Sequence, residues 1–172
     1  MNDLEKNVAD IRIKFLELSE REAQQAAKEI NQCKNFVVRV DYTLSFEELI
    51  AHSNYDRVNP IINARYFPPL NSGRHDLIIK LVRFSKYVNF QTRLESLQLL
   101  DLKPIGGYEL ISLGNQYPNL LKQYSIAALG QCTDSGPSGD IAIITEYDNK
   151  RIIGNYTKEG WLNDWCFAVT PI

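Results

Sequence analysis

The stretch Ile141-Ala142-Ile143-Ile144-Thr145-Glu146-Tyr147-Asp148-Asn149-Lys150-Arg151-Ile152-Ile153-Gly154-Asn155-Tyr156 decides the fold class. Two runs rich in β-branched and aromatic residues flank Asp148-Asn149, a pair that tolerates positive φ and suits a tight hairpin. A further strand follows, in which Trp165, Phe167 and Val169 face one way. The C-terminal third therefore reads as a strand meander.

Upstream, strands and helices alternate. Phe36, Val38, Val40 and Tyr42 alternate with Val37, Arg39 and Asp41, the pattern of a half-buried strand. Ser45 and Glu48 form a capping box that opens the helix FEELIAH. Leu77 to Phe84 is apolar on both faces apart from Lys80 and Arg83, which predicts an internal strand. Asn89 caps a helix whose buried face is Phe90, Leu94, Leu97 and Leu100, and Leu102-Lys103-Pro104 ends it. A short helix runs from Gly107 to Leu113 with Gly114 as its stop, and Ile126 to Leu129 is apolar. Helices early and a meander late predict an α+β fold with a mostly antiparallel sheet, not a doubly wound one.

The N-terminal segment predicts helix. Leu4, Val8, Ile11, Phe15 and Leu18 make one stripe, and Glu22 and Gln25 break it. A second face, Ala23, Ala26, Ala27 and Ile30, takes over, and Ser19 with Glu22 reads as a capping box, so two helices jointed near Ser19 are one reading. The segment either packs on its own domain or pairs with a second copy, although the seam covers only about two heptads. Residues 1–34 are assigned to this segment and 35–172 to the α+β domain.

Composition narrows the function classes. At 172 residues, 44% hydrophobic and 23% charged, the chain has an ordinary globular make-up. The net charge of −2, from 19 basic and 21 acidic residues, supplies no field for sequence-independent nucleic-acid binding. No run approaches the length of a spanning helix, and the first residues lack a secretory pattern, so a cytoplasmic protein is expected, with no membrane partner. Cys33, Cys132 and Cys166 give neither a disulfide framework nor a metal pattern, so no metal or cofactor is expected.

Several motifs carry a resemblance. Tyr55-Asp56-Arg57-Val58-Asn59 is followed by Tyr66-Phe67-Pro68, then LKPIGGYELISLGNQYP from Leu102 to Pro118, then Ala128-Leu129-Gly130 and a Trp-containing segment from Trp161 to Val169. From Phe36 onward the chain resembles a family of uncharacterised bacterial proteins whose members share these segments in this order. The resemblance implies the order of elements and carries no catalytic residue. Arg57 stands where that family has Trp, and Gly106 where it has a Thr able to cap the following helix. The Leu-x-Pro helix, the Gly-Trp-x-x-x-Trp segment and the final strand with Cys166 and Phe167 also resemble the layout of C-type-lectin-like domains, without their paired cysteines or calcium motif.

Chemistry is sparse. His75 sits in Arg74-His75-Asp76, but neighbours at a strand start point to opposite faces, so Asp76 is poorly placed to orient it. His52 ends a short helix, where a cation complements the dipole. The loop from Thr133 to Asp140 lacks the lysine of a phosphate loop and the terminal Glu of a calcium loop. Aromatic residues in turns stand out instead: Trp161 beside Asn163 and Asp164, and Tyr55, Arg57, Tyr66 and Phe67 in the Asn/Pro-rich connection. The leading expectation is a non-enzymatic binding or regulatory protein that contacts a protein or small ligand through these residues. A small hydrolase or transferase built on His75 with Asp56 or Asp134 is one alternative. An inhibitor of a host system, carried by a phage or plasmid, is another.

Overall fold

The computed structural model describes residues 3–133, 139–158 and 165–172, with side chains from residue 12 onward. Helix α1 (Asp3–Lys28) leads into β1 (Asn31–Asp41), α2 (Phe46–Ala51), β2 (Arg57–Val58), β3 (Arg74–Arg83) and α3 (Phe90–Gln98). Then follow β4 (Leu102–Pro104), α4 (Gly107–Gln116), a 3₁₀ turn at Pro118–Lys122, β5 (Ser125–Cys132), β6 (Asp140–Tyr147), β7 (Lys150–Thr157) and β8 (Trp165–Pro171). One sheet runs in the order β1-β3-β8-β5-β6-β7-β2, with β4 also paired to β8. Among the described residues, five of its seven pairings are antiparallel; β5 with β8 and β2 with β7 are parallel. The α+β class and the predominance of antiparallel pairing both hold.

The hairpin forms at the expected place. Asp148 and Asn149 both adopt positive φ, 52° and 55°, as a turn with two left-handed central residues requires. The last strand departs from a simple meander: β8 does not follow β7 but returns to lie between β3 and β5. Its composition explains this, because Trp165, Phe167 and Val169 are buried on one face and Cys166 and Ala168 on the other. A strand apolar on both faces belongs in the middle of a sheet covered on both sides.

The two covers are distinct. Helices α2 and α4 and the 3₁₀ turn pack on one face over Val40, Ile79, Leu81, Ile126 and Ile144. Helices α1 and α3 lie over the other, where Ala26 and Leu97 meet Val82, Phe167 and Val169. The buried face of α3 is not the leucine stripe alone. Leu97 is buried, Leu100 is exposed, and Thr92, Arg93 and Ser96 are buried beside Leu97. These polar residues are needed because α3 is sandwiched: Ser96 Oγ donates to the Ala23 carbonyl of α1 at 3.1 Å, and the Arg93 guanidinium lies 5.3 Å from the Phe167 ring centroid. Arg93 also donates to the carbonyls of Val88 and Lys158, each at 3.0 Å.

Three boundaries differ from expectation. The first strand starts at Asn31, not Phe36, so the division at residue 34 falls inside it. Its polar first half escaped alternation because β1 is an edge strand with a bulge between Gln32 and Lys34. The segment Leu102–Pro104 is a short strand beside β8 as well as the end of the α3 connection. Helix α4 runs through Gly114 to Gln116. Gly114 is required there for contact, not for termination: a Cβ would stand 2.0 Å from Tyr55 Oη.

The open side of β1 is closed by side chains. Gln116 Oε1 accepts from the Arg39 N–H at 3.0 Å, and its Nε2 donates to the Arg39 carbonyl at 2.8 Å. Tyr117 Oη donates to the Val37 carbonyl at 2.8 Å. No helix among the described residues is long and apolar enough to cross a membrane.

Replacing Gly114 with Ala forces Tyr55 off α4 and is expected to cost about 1–3 kcal/mol, the usual penalty of overpacking. Urea denaturation of Gly114→Ala, Tyr55→Phe and the double variant checks this; removing the hydroxyl should recover part of the loss.

Candidate functional site

The Asn/Pro-rich connection was expected to offer an aromatic surface, and the fold divides its residues. Phe67 is fully buried, packed where Gly107 lacks a side chain. Tyr55 is turned inward as well. The Arg151 guanidinium lies 4.4 Å from its ring centroid, and its hydroxyl is buried with no hydrogen-bond partner among the described residues. Burial pushes the Tyr55 phenol well above its ordinary range, with Arg151 opposing the shift only in part. Arg151 fixes this corner by donating to the carbonyls of Asn54 at 3.1 Å and Gly114 at 2.8 Å. Phe67 and Tyr55 are therefore anchors that dock the connection onto α4, not contact residues. Arg57 is exposed on β2, and Tyr66 is half-buried with the Arg65 guanidinium 5.5 Å from its ring. Trp161, Asn163 and Asp164 lie outside the described residues, as does Asp134.

His75 occupies the start of β3 opposite Val40. Its Nε2 is 2.7 Å from the Ser72 carbonyl, and its ring meets the edge of Tyr42 at 5.9 Å between centroids. Asp76 faces the other way, as strand alternation requires, and pairs with Arg39 across the strands at 2.9 Å. Arg74 and Asp41 make the matching pair at 2.7 Å. Hydrogen bonds hold both carboxyls below the usual range: that of Arg39 on Asp76, and those of Thr43 ahead of Arg74 on Asp41. Asp56 cannot join His75. It precedes β2 at the far edge of the sheet, five strand spacings or roughly 24 Å from β3. There it accepts from the Arg151 backbone N–H at 2.8 Å.

Sequence reasoning missed a buried carboxylate. Glu109, in the first turn of α4, is only 5% exposed. One oxygen accepts from the Gly106 N–H at 3.0 Å and the other from the Tyr42 hydroxyl. Burial, reinforced by Glu109, drives the Tyr42 phenol far above its ordinary range. Gly106 itself cannot cap α4, and Gln131 of β5 supplies the missing acceptor: its Oε1 takes the Gly107 N–H at 3.0 Å while its Nε2 donates to Pro68 at 2.6 Å. The same oxygen would lie 2.4 Å from a Cβ at position 106, so glycine there and Gln131 form one unit. The spacing Gly106-x-x-Glu109 was the available signal, half of a capping box. This cluster locks α4 to β1 and β5 and is structural.

Among the described residues, one exposed apolar surface is on α1. The helix is continuous through Ser19, which does not start a second helix but donates to Glu95 of α3 at 3.2 Å. Beyond Ser19 the helix rests on the body through Ala23 and Ala26, and Lys86 reaches Glu29 at 3.1 Å. Before Ser19 every residue from Arg12 to Leu18 is exposed. Phe15 is 72% exposed, Leu16 63%, Leu18 58% and Ile13 54%. At its base a groove between α1 and α3 is lined by Leu16, Ser19, Ala23, Glu95 and Leu99.

Comparison of the chain with known protein families, with curated proteins and with solved structures finds no match.

Tyr42→Phe leaves Glu109 buried with one fewer donor and should cost about 1.5–3 kcal/mol at neutral pH, the range for hydrogen bonds to charged groups. The raised phenol also sets a pH direction. Below the unfolded pKa, near ~10, its contribution is complete; above it the unfolded chain loses the proton first and stability falls. Denaturation curves at neutral and alkaline pH should show a smaller alkaline loss in Tyr42→Phe than in wild type.

Proposed function

We propose that the protein acts by binding, with the projecting part of α1 as its docking element and a second copy of the chain as the partner. The observation that carries this reading is the exposure of Phe15 and Leu18 on one helix. Large apolar side chains clustered on one element mark contact surfaces in stable proteins. An isolated helical stretch this short is marginal in water, because each turn must be nucleated and then held by packing. A partner that covers the stripe supplies that packing.

The sequence pattern favours a like partner. The stripe of Leu4, Val8, Ile11, Phe15 and Leu18 follows the alternating four-three spacing of a two-helix seam. It ends at Glu22, close to where the helix reaches its own domain through Ser19 and Ala23. The last two residues of the stripe, Phe15 and Leu18, are exposed. Leu16, off the stripe, lines the groove against α3 and gives a partner a second place to seat. The cross-strand ion pairs Arg39–Asp76 and Arg74–Asp41 next to His75 add no nucleophile or positioned base, so the α1 surface carries the reading more directly than a catalytic one.

Sedimentation equilibrium on the full chain tests this. Wild type should associate as a dimer at micromolar concentration, and Phe15→Glu with Leu18→Glu should sediment as a monomer with unchanged unfolding of the body. A wild-type chain that stays monomeric up to about 100 μM, or a dimer indifferent to both substitutions, removes the second copy as the partner.

A further inference from the structure

Two thiols from strands that are not neighbours meet on the α4 side of the sheet. Cys33 Sγ and Cys166 Sγ are 3.9 Å apart, although β1 and β8 are separated by β3. The bulge between Gln32 and Lys34 lies at Cys33, and a bulge turns its extra residue out of strict alternation, here towards that core. Cys166 is fully buried in the same core, and Cys33 is half-buried against it. The Arg83 guanidinium is 3.9 Å from Cys166 Sγ and 6.0 Å from the ring centroid of Tyr124.

This spacing does not suit a disulfide. Strands on either side of a third lie about 9.6 Å apart, whereas a disulfide needs Cα atoms within about 7 Å. It does suit one atom held between two sulfurs. An ion about 2.3 Å from each sulfur subtends roughly 116° at the present separation, and linear coordination at about 4.6 Å is reached when Cys33, on an edge strand, swings outward by under an ångström. The ligand set narrows the ion. Among the described residues no group of three or more His, Cys, Asp or Glu side chains gathers that could hold a metal, so the four protein ligands of a structural zinc site are not assembled. Two thiolates alone fit a soft monovalent ion of the cuprous class.

We infer that Cys33 and Cys166 form a two-thiolate site for a soft monovalent cation such as Cu(I), with Arg83 supplying its counter-charge. Binding breaks two S–H bonds, forms two metal–sulfur bonds and releases two protons to solvent; no electron is transferred. Two thiolates and one monovalent ion leave a net charge of −1, which the adjacent guanidinium offsets. This site is independent of the α1 surface.

The test is an anaerobic titration of the full chain with Cu(I) buffered by bicinchoninate. Wild type and Cys132→Ser should each take up one equivalent, while Cys33→Ser and Cys166→Ala should bind at least about 100-fold more weakly, as expected when one of two linked ligands is lost. Iodoacetamide labelling of the wild-type chain gives a second readout that needs no folded variant. Loading with Cu(I) should protect Cys33 and leave Cys132 reactive. Undiminished uptake by Cys33→Ser, uptake that disappears with Cys132, or a loaded chain alkylated at Cys33 overturns the assignment.

Discussion

Strand β8 is the constraint on which the architecture depends. It joins an antiparallel half, β1 and β3, to the β5-β6-β7 meander, and among the described residues no other strand bridges the two. It can do so because residues 165–169 are buried on both faces. Trp165, Phe167 and Val169 serve the core under α1 and α3, while Cys166 and Ala168 serve the one under α2 and α4. Each face demands its own helical cover. The small residues on the α4 face are what allow Tyr124, Arg83 and the two thiols to share that end of the sheet.

Much of this was legible locally. The Asp148-Asn149 hairpin, the Ser45–Glu48 capping box and the Asn89 cap all rest on residues within a few positions of one another, and all three form. The return of β8 to the sheet centre was not legible, because pairing order is a long-range property that alternation within one strand does not encode. Gln131 at the start of α4 was hidden for the same reason, being 24 positions from the amide that it caps. The mixed buried face of α3 has a different origin. A helix touching both a sheet and another helix has two buried sides, and a single apolar stripe records only one of them.

The site was legible in part. Tyr55 and Phe67 stood out as aromatic residues in a connection, but the same size that suits aromatic rings to contact also suits them to anchoring a loop, and the glycines at 107 and 114 decide for anchoring. The change of face along α1 was visible in the sequence as the break at Glu22 and Gln25. Its meaning, a continuous helix that leaves the body at Ser19, needed the tertiary contact with Glu95.

The pairing of Gln116 and Tyr117 side chains with the outer backbone of β1 has a consequence for solubility. An uncovered sheet margin offers a template on which a second chain can lay down another strand, the first step towards fibrous assembly. Here the amide of Gln116 occupies both backbone polar groups of Arg39 and the phenol of Tyr117 occupies the carbonyl of Val37, while at the opposite margin the two residues of β2 cover Ile152 and Ile153 of β7. Copies of this molecule therefore meet blunted margins, and runaway strand-by-strand growth is discouraged where the sheet would otherwise invite it.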